Sequence, residues 1–129
     1  MISINYQTLS QEHFPDGTLS LKTPKFHNKD HLLVIWNYEN DAELFTLICV
    51  AKKFANNPKN LFMPSLPHAR MDRVKNPDTE VFTLKYFCEV INSLNFDSVV
   101  VVDAHSNVGP ALLNNCENFP VKEELNYAI

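Results

Sequence analysis

Two short apolar runs constrain the fold of this chain more than any other feature. Residues 32–36 read LLVIW and residues 98–102 read SVVVV, and polar residues bound both runs. A strand that is covered on both faces of a parallel sheet shows such a continuous run instead of an alternation of apolar and polar positions. We therefore predict buried, parallel strands at these two places.

The segments that follow the first run and precede the second show helical periodicity. Residues 41–57 and 79–94 place apolar side chains three and four positions apart, which predicts two amphipathic helices. Asn40 or Asp41 is expected to cap the first of them. The chain thus alternates between strands and helices.

A third apolar run and the N-terminal residues complete the predicted sheet. Pro64 interrupts residues 61–66, so this strand is either short or ends at the proline. Ile2 and Ile4 alternate with polar neighbours, which predicts an N-terminal strand. The P-D-G tripeptide at residues 15–17, with alternating residues after it, predicts a hairpin-like edge.

This order of elements predicts one α/β domain. Parallel strands that are joined through helices cross over in the right-handed sense, which gives a three-layer αβα arrangement around a mostly parallel sheet. A length of 129 residues fits a single domain over residues 1–129. The polar segment from Asn114 onward is expected to be the end of that domain.

Composition excludes several classes of partner. The formal net charge is -4, and no cluster of Lys and Arg is present to neutralise a nucleic-acid backbone. No apolar window is long enough to span a membrane, and the N-terminus has no signal-peptide pattern. Cys49, Cys88 and Cys116 are widely spaced, which favours free thiols in a reducing compartment. We therefore expect a cytoplasmic protein.

Candidate functional residues follow two of the predicted strands. Ligands of open parallel sheets bind outside the carboxyl ends of the strands. The run at residues 61–66 is followed by P-H-A-R-M-D-R, and the run at residues 98–102 is followed by D-A-H-S-N. Guanidinium, carboxylate and imidazole groups together suit a metal-bound polyphosphate. The candidates are His68, Arg70, Asp72, Arg73, Asp103 and His105.

Each candidate also has a purely structural interpretation. Arg70, Asp72 and Arg73 fit an ordinary surface loop with ion pairs, Asp103 fits a helix cap, and His105 fits a hydrogen-bonded structural imidazole. Asp103 and His105 are two residues apart, so they face one cavity only if the extended strand continues past residue 102.

Familiar phosphate and nucleophile motifs are missing. The chain has two glycines, so it lacks a Walker-type or dinucleotide-type loop. Its serines lack the flanking glycines of a nucleophile elbow, and its five histidines show no regular pairing that indicates a zinc site.

Three segments of the chain, in order, match the motifs of one enzyme family. Residues 14–18 read F-P-D-G-T, residues 64–73 read P-S-L-P-H-A-R-M-D-R, and residues 102–105 read V-D-A-H. They resemble the F-x-D-G-E, P-Y-x-x-Y-A-R-Q-D-R and V-D-L-H motifs of the ribose-phosphate pyrophosphokinase family, also called the phosphoribosyl pyrophosphate synthetases. Residues 119–129 are similar to the crossover that leads into the family's second domain. The resemblance is to the N-terminal domain and covers nearly the whole chain.

The resemblance implies a phosphoribosyltransferase-like fold and a transferase activity. The family moves the pyrophosphoryl group of Mg-ATP to the 1-hydroxyl of ribose 5-phosphate, which makes phosphoribosyl pyrophosphate for nucleotide biosynthesis. Catalysis of this kind relies on positioning and charge neutralisation. The resemblance also implies a homo-oligomer, because the family completes its nucleotide site across a subunit boundary.

The resemblance assigns roles to individual residues. Phe14 and Asp16 are expected to contact adenine in a neighbouring subunit's site. Arg70 and Arg73 are expected to hold the ATP phosphates, and Asp72 to shape their loop. His105, with Asp103, is expected to serve the Mg²⁺ and phosphate end, and Arg70 and His105 are the expected catalytic residues.

Departures from the family pattern keep three interpretations open. Thr18 replaces a glutamate and Met71 replaces a glutamine, and the second domain that binds the ribose phosphate is not in this chain. The chain is therefore expected to be inactive alone. It is interpreted as the ATP half of a pyrophosphokinase, as a catalytically inactive homologue that regulates or supports active subunits, or as an unrelated binding module with the same layered fold.

Overall fold

A computed structural model describes residues 1–120 of the chain. Part of the segment that resembles the family's crossover, residues 121–129, lies outside the described residues. The strands are β1 (Ile2–Ile4), β2 (Gln7–Thr8), β3 (Ser10–His13), β4 (Leu19–Lys22), β5 (Leu32–Trp36), β6 (Lys59–Met63), β7 (Ser98–Val102) and β8 (Cys116–Phe119). The helices are α1 (Glu43–Lys53), α2 (Thr83–Ser93) and α3 (Val108–Leu112).

The strands form one large and one small sheet. The large sheet has the order β2-β1-β5-β6-β7-β8, and its last four strands are parallel to one another. Strand β1 pairs antiparallel with both of its neighbours. Strands β3 and β4 pair with each other as a hairpin, but they form a separate two-stranded sheet and not the predicted edge of the large sheet. The predicted α/β class with a mostly parallel sheet is confirmed.

Burial alternates along the central strands and distinguishes the two faces of the sheet. In β7, Val99 and Val101 are 2% and 0% exposed, whereas Val100 and Val102 are half-buried. Strands β5 and β6 show the same alternation. On the buried face, the Trp36 ring lies 5.9 Å from the Phe87 ring of α2. The described residues cover the other face only in part, although the apolar runs predict strands covered on both.

The boundaries of one strand and two helices differ from the sequence prediction. Strand β6 ends at Met63, directly before Pro64, because proline cannot donate a ladder hydrogen bond. Helix α1 begins at Glu43, whose N–H donates to the Asn40 side-chain oxygen over 3.3 Å, so Asn40 acts as a partial cap. Helix α2 begins at Thr83, four residues later than the periodicity predicts.

The polar segment from Asn114 onward contains a strand that was not predicted. Strand β8 lies within that polar segment and pairs parallel with β7 at the edge of the sheet. Its Cys116 and Asn118 are half-buried, and the residues after each are exposed. An edge strand with polar side chains carries no apolar run, so no strand was predicted there.

A buried carboxylate marks the start of α1. The Glu43 Oε1 atom accepts hydrogen bonds from the Trp36 Nε1–H over 3.3 Å and from the Glu39 backbone N–H over 2.7 Å. Burial acts to raise the pKa of Glu43. Hydrogen bonds from the amino-terminal group, Glu39, Asn40 and Trp36 outweigh burial and hold that pKa below its ordinary value.

Acid is expected to weaken the fold through Glu43. A carboxyl whose pKa is lower in the folded state stabilises the fold fully above its unfolded pKa, and that contribution is lost as the pH falls through the folded pKa. The free energy of unfolding of Glu43→Gln should therefore fall less between about pH 6 and about pH 3.5 than that of the intact chain. Urea unfolding at both pH values measures this, and equal losses in the two proteins would contradict it.

No helix in residues 1–120 is both long enough and apolar enough to cross a membrane.

Candidate functional site

Two loops leave the same edge of the large sheet. Strands β6 and β7 are parallel neighbours, with Met63 paired to Val101. Their carboxyl ends therefore lie side by side, and the loops that follow them begin one strand spacing apart. One loop carries Arg70, Asp72 and Arg73, and the other carries Asp103 and His105. The position of both loops agrees with the ligand-binding edge of open α/β sheets.

The loop after β7 turns sharply. Asp103 and His105 have φ values of 45° and 67°, a left-handed conformation that is uncommon for residues other than glycine. The extended strand therefore ends at Val102. Asp103 and His105 were expected to face one cavity only if the strand continued, and that condition is not met. Ala104 between them is 2% exposed, while Asp103 and His105 are both exposed. The turn is anchored by its buried middle residue and presents the two polar side chains outward.

Backbone hydrogen bonds hold this turn against the edge strand. The Asp103 N–H donates to the Phe119 carbonyl over 2.9 Å, and the Ala104 N–H donates to the Asn118 side-chain oxygen over 3.3 Å. Strand β8, which the sequence analysis missed, thus supports the loop. Left-handed residues that are over-determined by their surroundings often lie at functional sites.

Among the described residues, Asp103 does not cap a helix and His105 is not a hydrogen-bonded structural imidazole. Helix α3 begins after Asn107 without a side-chain cap, and the Val108 N–H donates to the Ser106 hydroxyl over 3.3 Å. Within residues 1–120, neither the Asp103 carboxylate nor the His105 imidazole makes a hydrogen bond to the protein. Both side chains are therefore open to a ligand.

The loop after β6 presents its arginines in the same way. Arg70 and Arg73 are exposed and Asp72 is half-buried. Among the described residues, none of the three forms an ion pair, which the surface-loop interpretation requires. A turn that is closed by the Met71 N–H donating to the His68 carbonyl over 2.9 Å carries Arg70. The two guanidinium groups are therefore also open to a ligand.

His68 connects this loop to the segment before α1. Its Nε2 lies 2.8 Å from the Asp41 Oδ1, and the same oxygen accepts a hydrogen bond from the Tyr38 hydroxyl over 2.8 Å. The hydrogen bond from Tyr38, followed by that from His68, lowers the pKa of Asp41. The hydrogen bond to Asp41 raises the pKa of Tyr38. From the sequence, Asp41 was predicted only as a possible helix cap, because no local pattern indicates a contact with His68, which lies 27 positions away.

Phe14 and Asp16 lie on the turn of the β3–β4 hairpin, between His13 and Leu19. The Asp16 Oδ1 accepts hydrogen bonds from the Thr18 hydroxyl over 2.7 Å and from the Thr18 N–H over 3.0 Å. These bonds, first of all the one from the hydroxyl, lower the pKa of Asp16. The Phe14 ring is 56% exposed. The turn thus occupies one carboxylate oxygen of Asp16, the Oδ1 atom, and leaves the aromatic ring exposed.

A cleft of about 560 Å³ lies between the hairpin and the start of α1. Its lining includes Thr18 from the resemblance motif, the exposed Phe45 ring and the carboxylates of Glu39 and Glu43. No Lys or Arg of the described residues lines it, so its charge does not suit a polyphosphate. No pattern in the sequence predicts this cleft.

Three curated proteins of Streptococcus pyogenes, each named "Putative ribose-phosphate pyrophosphokinase 2", match the chain over 103 residues. Their identities are 27% for serotype M18, 26% for serotype M6 and 25% for serotype M3. The crystal structure of phosphoribosylpyrophosphate synthetase from Mycobacterium smegmatis has the same fold, with a TM-score of 0.74 at 12% identity. That match covers 94% of this chain and 42% of that chain. No family model matches the chain.

The sequence matches and the structural match agree with the motifs. The chain resembles the N-terminal domain of the ribose-phosphate pyrophosphokinases. The aligned part covers 76% of this pyrophosphokinase-like chain but only 31% of each curated relative. The chain therefore spans about a third of the length of those relatives.

Proposed function

We propose that this chain supplies the ATP half of a ribose-phosphate pyrophosphokinase site. In the complete reaction, the pyrophosphoryl group of Mg-ATP would move to the 1-hydroxyl of ribose 5-phosphate and give phosphoribosyl pyrophosphate for nucleotide biosynthesis. One observation carries the proposal. Two exposed arginines and an exposed aspartate–histidine pair follow neighbouring parallel strands and have no protein partner among the described residues.

The proposed roles follow from the chemistry of each side chain. Arg70 and Arg73 would hold the phosphates, because a guanidinium group binds two phosphate oxygens at once and stays charged at all relevant pH values. Asp72 would shape their loop. Arg70 and His105 would act on the transferred group by neutralising its developing charge, which is the main requirement of phosphoryl transfer.

Asp103 is the residue that best fits magnesium. Mg²⁺ prefers oxygen ligands and is commonly held by one or two carboxylates together with substrate phosphates. Asp103 offers such a carboxylate, whereas the imidazole of His105 suits a phosphate oxygen better. Within residues 1–120, no three His, Cys, Asp or Glu side chains are grouped to hold a metal ion. Mg²⁺ would therefore arrive bound to ATP, where it neutralises charge on the transferred group.

The other parts of the site would come from outside the described residues. Ribose 5-phosphate would bind mainly through a second domain, since the curated relatives are about three times as long as the matched segment. The exposed Phe14 ring is suited to stack on adenine of a neighbouring subunit, which favours a homo-oligomer. We propose a cytoplasmic location, with neither nucleic acid nor membrane as partner.

A catalytically inactive homologue that regulates or supports active subunits is the second candidate. The hairpin turn favours it, because Thr18, where the family has a glutamate, holds the Oδ1 atom of Asp16 with two hydrogen bonds. An adenine amino group would be left with the Oδ2 atom of Asp16. If this candidate holds, the chain assembles with an active pyrophosphokinase and does not bind nucleotide.

Isothermal titration calorimetry of the purified chain tests the proposal. We expect saturable binding of Mg-ATP, weaker binding of ATP in the presence of EDTA, and no binding of ribose 5-phosphate alone. Asp103→Asn should reduce the difference between Mg-ATP and ATP, because the variant loses the carboxylate charge that Mg²⁺ prefers. Absence of Mg-ATP binding, together with co-elution of the chain with an active ribose-phosphate pyrophosphokinase, would support the regulatory candidate instead.

A further inference from the structure

The contact between His68 and Asp41 joins the arginine loop to a different part of the chain. The His68 Nε2 lies 2.8 Å from the Asp41 Oδ1. Asp41 precedes α1, and its carbonyl accepts the hydrogen bond of Leu44 in the first turn of that helix over 3.0 Å. His68 follows β6. The pair therefore ties the loop to a segment that is fixed by the start of a helix.

The ring of His68 is also held on its sides. Its centroid lies 5.5 Å from the Phe87 ring of α2 and 6.4 Å from the Tyr38 ring. The Tyr38 hydroxyl donates to the same oxygen of Asp41 that faces His68, so it orients the carboxylate. The side chain of His68 is 24% exposed. Two separate segments, residues 38–41 and helix α2, thus determine where this imidazole lies.

The backbone of His68 begins the turn that presents Arg70. The His68 carbonyl accepts the Met71 N–H over 2.9 Å, which encloses Ala69 and Arg70 in a four-residue turn. His68 itself has a φ of 64°, a left-handed conformation that histidine adopts more readily than most residues other than glycine. The Arg70 side chain makes no ion pair with another described residue. Its position therefore depends on the turn.

We infer that Asp41 and His68 are positioning residues that order the Arg70 turn and so strengthen the binding of a nucleotide polyphosphate. This inference rests on the proposed function for its binding part only. The ordering of the turn is a property of the chain itself and is measurable without a nucleotide.

Limited proteolysis tests the ordering of the turn. Trypsin cleaves after arginine, and cleavage of a folded protein follows the fraction of time for which the local segment is open. We expect cleavage after Arg70 to be about three- to fivefold faster in His68→Phe, because an exposed carboxylate–imidazole pair contributes up to about a factor of five. Cleavage after Lys52 in α1 serves as the internal reference and should not change.

His68→Gln is the matched variant. Glutamine and phenylalanine both lack a preference for the left-handed conformation, but glutamine keeps an N–H that can donate to Asp41. Its cleavage rate after Arg70 should lie near that of the intact chain. Asp41→Ala should behave like His68→Phe, and it provides a second route if the ring substitution prevents folding, which the circular dichroism spectrum would show.

Calorimetry with Mg-ATP tests the binding part. His68→Phe should weaken the binding of Mg-ATP by about three- to fivefold, because only molecules with the ordered turn bind well. In an Arg70→Ala background the substitution should have no further effect, since the proposed action passes through Arg70.

The outcomes separate this inference from the proposed function. If the intact chain does not bind Mg-ATP, the proposed function fails and the cleavage rates alone decide whether the pair orders the turn. If cleavage after Arg70 is unchanged in both His68→Phe and Asp41→Ala, the inference is overturned. It is also overturned if His68→Phe weakens binding equally with and without Arg70.

Discussion

Val101→Asp is expected to prevent the chain from folding at room temperature, whereas Val100→Asp is expected to leave it folded. Val101 is fully buried on the face of β7 that packs into the core, and Val100 points to the face that is only half-buried. An unpaired carboxylate in a core costs several kcal/mol even after its pKa rises. That cost is comparable to the whole stability of a domain, which is about 5–15 kcal/mol.

Circular dichroism and urea unfolding of the two variants measure this difference. Val101→Ala and Val100→Ala give a milder comparison, in which the buried position should lose about 2 kcal/mol and the half-buried position clearly less. The two variants of each pair carry the same chemical change at adjacent residues of one strand. Equal losses at positions 100 and 101 would mean that both faces of the sheet are covered alike.

The three central strands of the large sheet, β5, β6 and β7, could be predicted because their apolar runs are strong and local. Strands β5 and β7 have the predicted bounds, and β6 ends where Pro64 requires it. The difference between the two faces could not be predicted, because Val100 and Val101 are the same residue type. Which of them is buried depends on the side of the sheet to which the helices cross, and that is not encoded in the strand itself.

The candidate site could be predicted in part for the same reason. Asp103 follows one apolar run directly and Arg70 lies in the loop after another, and parallel strands bring such loops to one edge. The left-handed turn at Asp103 and the contact between His68 and Asp41 arise from packing between distant segments. No sequence pattern of short period reports such contacts, so Asp41 was interpreted only as a cap.

Replacing both Arg70 and Arg73 with alanine is expected to weaken Mg-ATP binding by about a hundredfold or more. A hydrogen bond between charged partners contributes about 1.5–3 kcal/mol, and the variant loses two groups that make such bonds. Both side chains are exposed and make no ion pair with the other described residues. Their removal should therefore change the melting temperature little, and calorimetry with Mg-ATP should report the loss of binding alone.

Two control variants separate phosphate recognition from a general effect of charge. Lys52→Ala with Lys85→Ala removes the same two positive charges from exposed positions in α1 and α2, and it should leave the affinity for Mg-ATP within about twofold, because exposed charges at a distance are screened. Replacing both arginines with lysine keeps the charge but loses the paired N–H geometry, so we expect an intermediate loss. If Lys52→Ala with Lys85→Ala weakened Mg-ATP binding as much as the double arginine-to-alanine variant, attraction by net charge would explain the binding. The assignment of Arg70 and Arg73 to the phosphates would then have to be withdrawn.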